Sequence, residues 1–247
     1  PGSLTTRLVD NSAALTNGNT VNVSSNGGTT AYSTTTVSLS TTFPTGNRLA
    51  DQMRIVASLI AARSRLGVTR QVFLVSLGGF DHHDGLIGSH DALLGQVDAA
   101  MGAVYQATVE LGVANAVTTF TASDFGRTLT SNGDGSDHGW GGHHFIVGGG
   151  VRGGRFYGTA PQISTTSPDQ VGQGRLLPTT SVDELSSTLA LWFGVAPSEL
   201  PSVAPNIGRF PSADLGFMRP AATAGEATIS APVSYSQTFS PVFRSSP

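Results

Sequence analysis

The sequence predicts an α/β protein with a doubly wound, mostly parallel sheet, an N-terminal β-hairpin segment and an extended C-terminal tail. Two observations lead to this fold class. Helical patterns alternate with short apolar runs between Leu49 and Ala122, which is the order typical of doubly wound sheets. Each apolar run is also followed closely by an aspartate, first Asp81 and then Asp124.

The first helix and strand of this pattern lie between Gly46 and Leu77. Apolar residues recur every three or four positions in a stretch that contains Leu49 and Ile60, which predicts an amphipathic helix. Gly67 is a natural end for that helix. The run Gln71–Leu77 is largely apolar and contains two valines, so it predicts a buried parallel strand.

A second helix and strand repeat the pattern. Residues 86–111 predict a long helix that ends at Gly112, and Ala116–Ala122 predicts the next strand. The predicted buried face of this helix consists of Leu93, Val97, Met101, Val104 and Val109.

The flanking segments are less regular. Residues 11–45 are rich in Ser, Thr, Asn and Gly, and we expect a surface β-hairpin there, with its turn at Asn26-Gly27-Gly28. Residues 126–144 predict a glycine-rich loop, Phe145–Val147 a short strand and Val151–Tyr157 a hairpin. Ser181 and Glu184 form a capping-box pattern before a helix over Val182–Phe193.

These patterns divide the chain into three parts. Residues 1–45 form a Ser/Thr-rich β segment, residues 46–219 an α/β domain, and residues 220–247 an extended tail rich in Ala, Ser, Thr and Pro.

Composition excludes several classes of function. The 247-residue chain has a net charge of −3 and no lysine, so it has no basic stripe of the kind that binds nucleic acid. It has no cysteine, which excludes disulfides and thiolate sites. No run of eighteen apolar residues is present, so we expect no membrane span.

The residues capable of metal chemistry are concentrated in one segment. All six histidines lie between His82 and His144, and seven of the twelve aspartates lie between Asp81 and Asp137. Asp81 and His83 follow the first predicted strand, and Asp124 follows the second. Ligand sites of open α/β sheets lie beyond the carboxyl ends of the strands, so these side chains should share one edge.

The glycine-rich loop then returns Asp137 and His138 toward that edge. Mixed Asp/His ligation suits zinc, manganese or a similar divalent ion. These aspartates also have an interpretation without a metal, since an aspartate after a strand is commonly a turn former or a helix cap. His90 fits a packed or capping histidine, and at most one of the adjacent His143 and His144 should face the site.

A calcium loop is a second interpretation of the same segment. Asn132, Asp134 and Asp137 offer oxygen ligands at short spacing, which suits a hard cation. The segment lacks the glutamate and the spacing of an EF-hand, and its Asn-Gly and Asp-Gly pairs are also ordinary turn formers. This pattern would make the protein a calcium-stabilised binding module.

Several motifs in fixed order resemble the uncharacterised bacterial family numbered 1501 among domains of unknown function. The resemblance covers Leu49 to Met218. The main motifs are Gly78–His83, Ser123–Arg127, Asn132-Gly133, Asp137–Gly141, Gly148-Gly149, Gly153–Gly158, Gly174–Pro178 and Asp214–Phe217.

That family is grouped with the alkaline-phosphatase and sulfatase superfamily, and the resemblance implies an alkaline-phosphatase-like fold with one or two metals. It makes Asp81, His83, Asp124 and His138 metal ligands, with Asp137 as the polar partner of His138. Phe125 stands where the superfamily has a second histidine, so one metal would lose a ligand. The superfamily's nucleophile would lie upstream, so a missing N-terminal half or another chain would complete the fold.

Two functions follow from the resemblance. The first is a metal-dependent hydrolase of phosphate or sulfate esters, exported to the periplasm or the cell exterior, in which Arg127 stabilises substrate charge as a catalytic residue. Arg127 fits an ion pair with a neighbouring aspartate equally well. The alternative function is a non-catalytic secreted or cell-surface protein that retains the superfamily fold and forms a homo-oligomer or a larger assembly.

Overall fold

A computed structural model describes residues 5–8, 20–23, 33–36 and 39–220 of the chain. The strands are β1 (Thr5–Leu8), β2 (Thr20–Val23), β3 (Ser33–Thr36), β4 (Gln71–Leu74), β5 (Thr118–Phe120), β6 (Gly126–Ser131), β7 (Ser136–Gly139) and β8 (Ile146–Gly148). The helices are α1 (Arg48–Ala61), α2 (Arg63–Leu66), α3 (Leu86–Glu110), α4 (Val182–Phe193) and α5 (Leu200–Val203). From α1 to β5 the helices and strands alternate in the order that the sequence predicts, whereas β1, β6 and β7 were not predicted.

The predicted helices are confirmed with small changes at their ends. The Asn47 side chain accepts hydrogen bonds from two backbone N–H groups in the first turn of α1, and Gly67 takes a left-handed conformation after α2. The capping box of α4 is present, with Ser181 and Glu184 bonded reciprocally. In α3, Met101 and Val104 are buried as expected, whereas Val109 is exposed.

The sheet differs from the prediction. Among the described residues the strands form four separate pairs: β2–β3, β5–β8 and β6–β7 are antiparallel, and β1–β4 is parallel. The fold is therefore mixed helix and strand with small, mainly antiparallel sheets, and the predicted doubly wound parallel sheet is wrong for this part of the chain. β4 shows the difference, since Val72 and Leu74 are exposed, whereas a strand between two helix layers is buried on both faces.

Local details differ as well. The glycine-rich segment 126–144 contains the β6–β7 hairpin, in which Gly126 pairs with Gly139. Val151 bridges Met218 instead of starting a hairpin with Tyr157. The predicted N-terminal hairpin matches β2–β3, while its turn at residues 26–28 and the predicted tail beyond residue 220 lie outside the described residues.

The main core lies between α1 and α3. Their contact surface is built largely from alanine and methionine, and small side chains let the two helices approach closely. Its buried members include Leu49, Ala50, Met53, Ala57, Ala100, Met101, Val104 and Ala107. Only the C-terminal half of α3 contributes buried residues, so its N-terminal half extends from this core toward the loop that follows β4.

A buried glutamine connects this core to that loop. Gln52 on α1 accepts a hydrogen bond from the backbone N–H of Ser76 at 3.1 Å and donates to its carbonyl at 2.8 Å. The side-chain amide therefore bonds to Ser76 as a neighbouring strand would. The backbone is fixed five residues before Asp81. Within the described part of the chain, no helix has both the length and the apolar character needed to cross a membrane.

Candidate metal centre

The candidate site lies where the loop after β4 meets the β6–β7 hairpin. The Arg127 guanidinium on β6 donates hydrogen bonds to the carbonyl oxygens of Phe80 and Ser136. The backbone N–H of Leu86, at the start of α3, donates to the carbonyl of Asp134 at 3.0 Å. These bonds join two segments that are far apart in sequence, and each segment contributes to the site.

Gly135 allows the closest approach between the hairpin and the loop. A Cβ atom at this position would overlap the backbone carbonyl group of His83. Only glycine fits there without displacing the loop that carries Asp81 and His83. The glycine-rich character of the segment therefore has a packing cause at the site itself.

Three of the predicted ligands lie together. One carboxylate oxygen of Asp81, Oδ1, is 3.0 Å from His83 Nε2 and 2.7 Å from His138 Nε2. Each of the three side chains offers a ligand atom, and these atoms lie within 4.8 Å of one another. All three residues are exposed, so the group is open to solvent on one side. We call Asp81, His83 and His138 the triad.

The electrostatics keep Asp81 ionised. The hydrogen bond from His138 lowers the pKa of the Asp81 carboxyl, and the nearby His138, His83 and Arg127 lower it further. Desolvation of the carboxyl opposes these causes without reversing them. The group therefore presents a charged oxygen beside two imidazoles, as a cation site requires.

A second set of contacts orients the two imidazoles. His83 Nδ1 lies 3.5 Å from Asp137 Oδ1 and 3.4 Å from the Asn132 amide nitrogen, which also donates to the same Asp137 oxygen at 3.0 Å. The Phe125 ring stacks on His138, with ring centroids 3.9 Å apart and an angle of 2° between the planes. Carboxylate partners on the second nitrogen of a ligating histidine are typical of metal sites.

The remaining predicted residues have other positions. The triad does not include Asp124, which is exposed, so its role as a ligand stays a prediction. Asp137 contacts His83 and lies beside the triad. In the predicted calcium loop, Asp134 contributes its backbone carbonyl to Leu86, and Asn132 turns its amide nitrogen toward Asp137.

The other histidines lie outside the triad. His82 and His90 meet edge to face with ring centroids 6.1 Å apart, and each has one ring nitrogen buried without a hydrogen-bond partner among the described residues. Burial, and then the charges of His82 and Arg127, lower the pKa of His90, so this ring is neutral and packed as the sequence indicated. His144 Nδ1 lies 3.3 Å from the hydroxyl of Thr121, and burial and then His143 lower its pKa.

Sequence reasoning missed what Phe125 and Asn132 do. From sequence, Phe125 was notable only because it stands where a second histidine is expected, yet its ring covers one face of His138. Asn132 was predicted to be a turn former or a calcium ligand, yet its amide donates a hydrogen bond to the Asp137 carboxylate. The first contact depends on the β6–β7 register, in which Arg127 pairs with His138 two residues after Phe125, and no pattern in the sequence indicates that register.

Comparison with known protein families identifies the same family that the sequence motifs resemble. A family model described as "Protein of unknown function (DUF1501)" matches residues 19–201. No curated protein and no solved structure matches the chain. The matched range includes the whole triad and spans well over half of the 247 residues. The chain therefore belongs to the DUF1501 family.

Proposed function

We propose that the triad holds a divalent transition-metal ion, with zinc the best fit and manganese the next. The observation that carries this proposal is the convergence of one carboxylate oxygen and two imidazole nitrogens within 4.8 Å on an exposed surface. One oxygen and two nitrogens are a ligand set that zinc accepts, and three protein ligands leave a coordination position open. Calcium prefers an all-oxygen shell and fits this donor set less well.

The surroundings of the triad support the proposal. Asp137 and Asn132 lie behind His83 in the positions of a carboxylate partner and its support, so His83 Nε2 is directed toward Asp81. Phe125 restricts the rotation of the His138 ring by stacking on it. A site preorganised in this way loses less side-chain entropy when a metal binds.

Arg127 acts in this proposal as a positioning residue. Two of its guanidinium nitrogens donate to the carbonyls of Phe80 and Ser136, the residues immediately before Asp81 and Asp137. These bonds fix the two chain segments that carry the triad and its support. A direct role in stabilising substrate charge remains a prediction for the guanidinium nitrogen that is not used in these bonds.

The proposed activity is hydrolysis of a phosphate or sulfate ester by a protein of the alkaline-phosphatase and sulfatase superfamily, outside the cytoplasm. A divalent ion bound at the triad would supply Lewis acidity toward an ester oxygen. The chain's own contribution is to keep Asp81 ionised, to orient the two imidazoles and to leave the triad accessible from solvent. The order of the Asp and His motifs supports the superfamily relationship.

Two measurements on the same preparation test this proposal. The metal content of purified protein should approach one ion per chain and fall strongly in His138→Ala. A screen of aryl phosphates and aryl sulfates should then find turnover that depends on the metal and is lost in the same variant. His143→Ala is a matched control, because this exposed histidine lies outside the triad and should leave both values unchanged. Protein that binds no metal would contradict the proposal.

A second candidate function is a non-catalytic assembly protein outside the cell. Large apolar side chains left exposed favour it, since such side chains mark protein–protein contacts where they form a continuous patch. Phe156, Ile87, Val182, Ile163 and Trp140 are the most exposed of them. Metal binding without turnover of any ester, together with stable complexes in solution, would favour this candidate.

A further inference from the structure

Two exposed surfaces of opposite charge have no function in the metal proposal. The first is the loop Arg152–Tyr157, which we call the basic loop. Its Phe156 is 95% exposed, the highest exposure of any large apolar side chain among the described residues. Arg152 and Arg155 are also exposed, and neither forms an ion pair within the described part of the chain.

The basic loop is held firmly at its base. The Tyr157 hydroxyl donates to the carbonyl of Arg152 at 2.8 Å, and the Tyr157 ring packs edge to face on the buried Phe217. The backbone N–H of Arg152 also donates to the carbonyl of Phe217 at 2.8 Å. An anchored loop that projects an aromatic residue loses little entropy on docking, and such residues commonly dominate interface energies.

The stretch of sequence that contains this loop has arginines and no acidic residue. The thirty residues from Gly139 to Pro168 contain no aspartate or glutamate, and Arg152 and Arg155 lie among them. Exposed Arg219 follows Met218, which bridges Val151 at the base of the loop. The basic loop therefore fits a partner surface that is acidic and contains an apolar depression.

The second surface lies on the N-terminal half of α3. Ile87, Asp91, Leu94 and Asp98 are spaced by four, three and four residues, so they share one face of the helix. All four are exposed, with Ile87 at 87% and Leu94 at 37%. We call these four residues the acidic stripe.

The segment that contains the acidic stripe is strongly acidic. Residues 81–137 contain eight acidic residues and one arginine. That arginine, Arg127, is engaged with the carbonyls of Phe80 and Ser136. The acidic stripe thus offers alternating apolar and negative side chains, the complement of one aromatic residue flanked by arginines.

We infer that the protein associates with itself through these two surfaces, with the basic loop of one copy docked on the acidic stripe of the next. Phe156 lies between Ile87 and Leu94, while Arg152 and Arg155 meet Asp91 and Asp98. A contact between two different surfaces is heterologous, and it closes a ring or extends a chain according to the angle between copies. This inference is independent of the metal-dependent function, and it supplies the surfaces that the assembly function would use.

Analytical ultracentrifugation of the whole chain, from micromolar to submillimolar concentration, tests the inference. Wild-type protein should form species larger than the monomer, and added salt should weaken them because charge contacts contribute. Phe156→Ala and Arg155→Glu should each raise the dissociation constant at least about tenfold. Arg209→Glu, which makes the same charge change at another exposed position, is the matched control and should have no effect.

A charge exchange identifies the acidic stripe as the partner surface. Asp91→Arg alone should weaken association as Arg155→Glu does, and the double variant should recover a large part of it because the pair is restored with reversed signs. A monomer at every concentration, or association that none of these changes weakens, would overturn the inference. So would a double variant that gains nothing over the single ones.

Two further readouts distinguish self-association from membrane binding and from metal binding. Binding of the basic loop to vesicles of anionic phospholipid, without self-association, would overturn the inference in favour of a membrane surface. Metal content should be the same in Phe156→Ala as in wild type, since Phe156 is not part of the triad. Failure of self-association therefore leaves the metal proposal standing, and failure of metal binding leaves self-association standing.

Discussion

Replacing His83 with alanine should remove most of the thermal stabilisation that zinc gives this protein. His83 supplies one of the three ligand atoms of the triad, and its Nε2 lies 3.0 Å from the Asp81 carboxylate. Its side chain is about half exposed, at 47%, so the substitution removes little packing. In the absence of metal we therefore expect wild type and variant to melt within a few degrees of each other.

The size of the effect follows from binding linkage. A ligand that binds only the folded state adds about 2.7 kcal/mol when its free concentration is about a hundred times its dissociation constant. For a chain of 247 residues, 1 kcal/mol corresponds to roughly 2–4 °C in melting temperature, so zinc should raise the wild-type value by about 5–11 °C.

The variant should show a much smaller shift. Losing an outer partner of a ligand costs about 10–100-fold in affinity, and losing a direct ligand should cost about 100-fold or more. At the same zinc concentration the remaining stabilisation is then about 0.4 kcal/mol or less, roughly 1–2 °C.

Differential scanning fluorimetry of chelated and zinc-loaded protein measures both values. His143→Ala should keep the full wild-type shift, because His143 lies outside the triad. Asp124→Asn should also keep the full shift in melting temperature. This result would distinguish the triad from the ligand set that the sequence predicted, which includes Asp124. An equal zinc shift in wild type and His83→Ala would refute the reasoning, as would a shift lost in Asp124→Asn alone.

Three other substitutions and one control, Gly102→Ala, test the fold around the site. Glu110→Gln should lower the melting temperature at neutral pH, because hydrogen bonds from the Thr41 hydroxyl and the Ser40 backbone lower the pKa of Glu110 to about 2. That stabilisation is present above the ordinary glutamate pKa of 4.5 and is lost as the pH falls toward 2. The melting temperatures of wild type and variant should therefore converge over that pH range. A difference that stays constant with pH would contradict this prediction. Gly135→Ala should lower the free energy of unfolding in urea by about 1–3 kcal/mol and weaken zinc binding, because the new Cβ overlaps the backbone of His83. Its control is Gly102→Ala on the exposed side of α3, which should raise the free energy of unfolding by roughly 0.5–1 kcal/mol. Ser181→Ala should cost about 1 kcal/mol by removing the cap of α4, and an unchanged urea midpoint would argue against the capping box.

The features predictable from sequence were those that depend on neighbouring residues. Ser181 and Glu184 specify the start of α4 within four positions, and Gly67 specifies the end of α2 by its left-handed conformation. The long α3 follows from apolar residues at helical spacing, which needs no knowledge of the rest of the fold.

The features that were wrong depend on which strands pair. The sequence predicted that β4 and β5 share one parallel sheet, but β5 pairs antiparallel with β8 and β4 pairs with β1. Nothing in the short run Thr118–Phe120 distinguishes these partners, because an apolar strand pattern is the same for both. The β6–β7 hairpin was missed because its residues do not alternate between apolar and polar, and contacts of Arg127 with distant carbonyls support it.

The candidate site was predictable in part. Clustering of Asp and His along the chain indicated Asp81, His83 and His138, which the fold brings together. The place of Asp124 was inferred from the shared edge of a parallel sheet, and without that sheet the argument for its position no longer applies. Its role as a ligand is now a question for the Asp124→Asn variant.

X-ray diffraction from zinc-loaded crystals, recorded on both sides of the zinc absorption edge, tests the metal site most directly. We predict one strong anomalous peak within about 2.0–2.2 Å of the Asp81 carboxylate, His83 Nε2 and His138 Nε2. A peak at Asn132, Asp134 and Asp137 instead, or no peak at the triad in crystals that hold zinc elsewhere, would contradict the assignment.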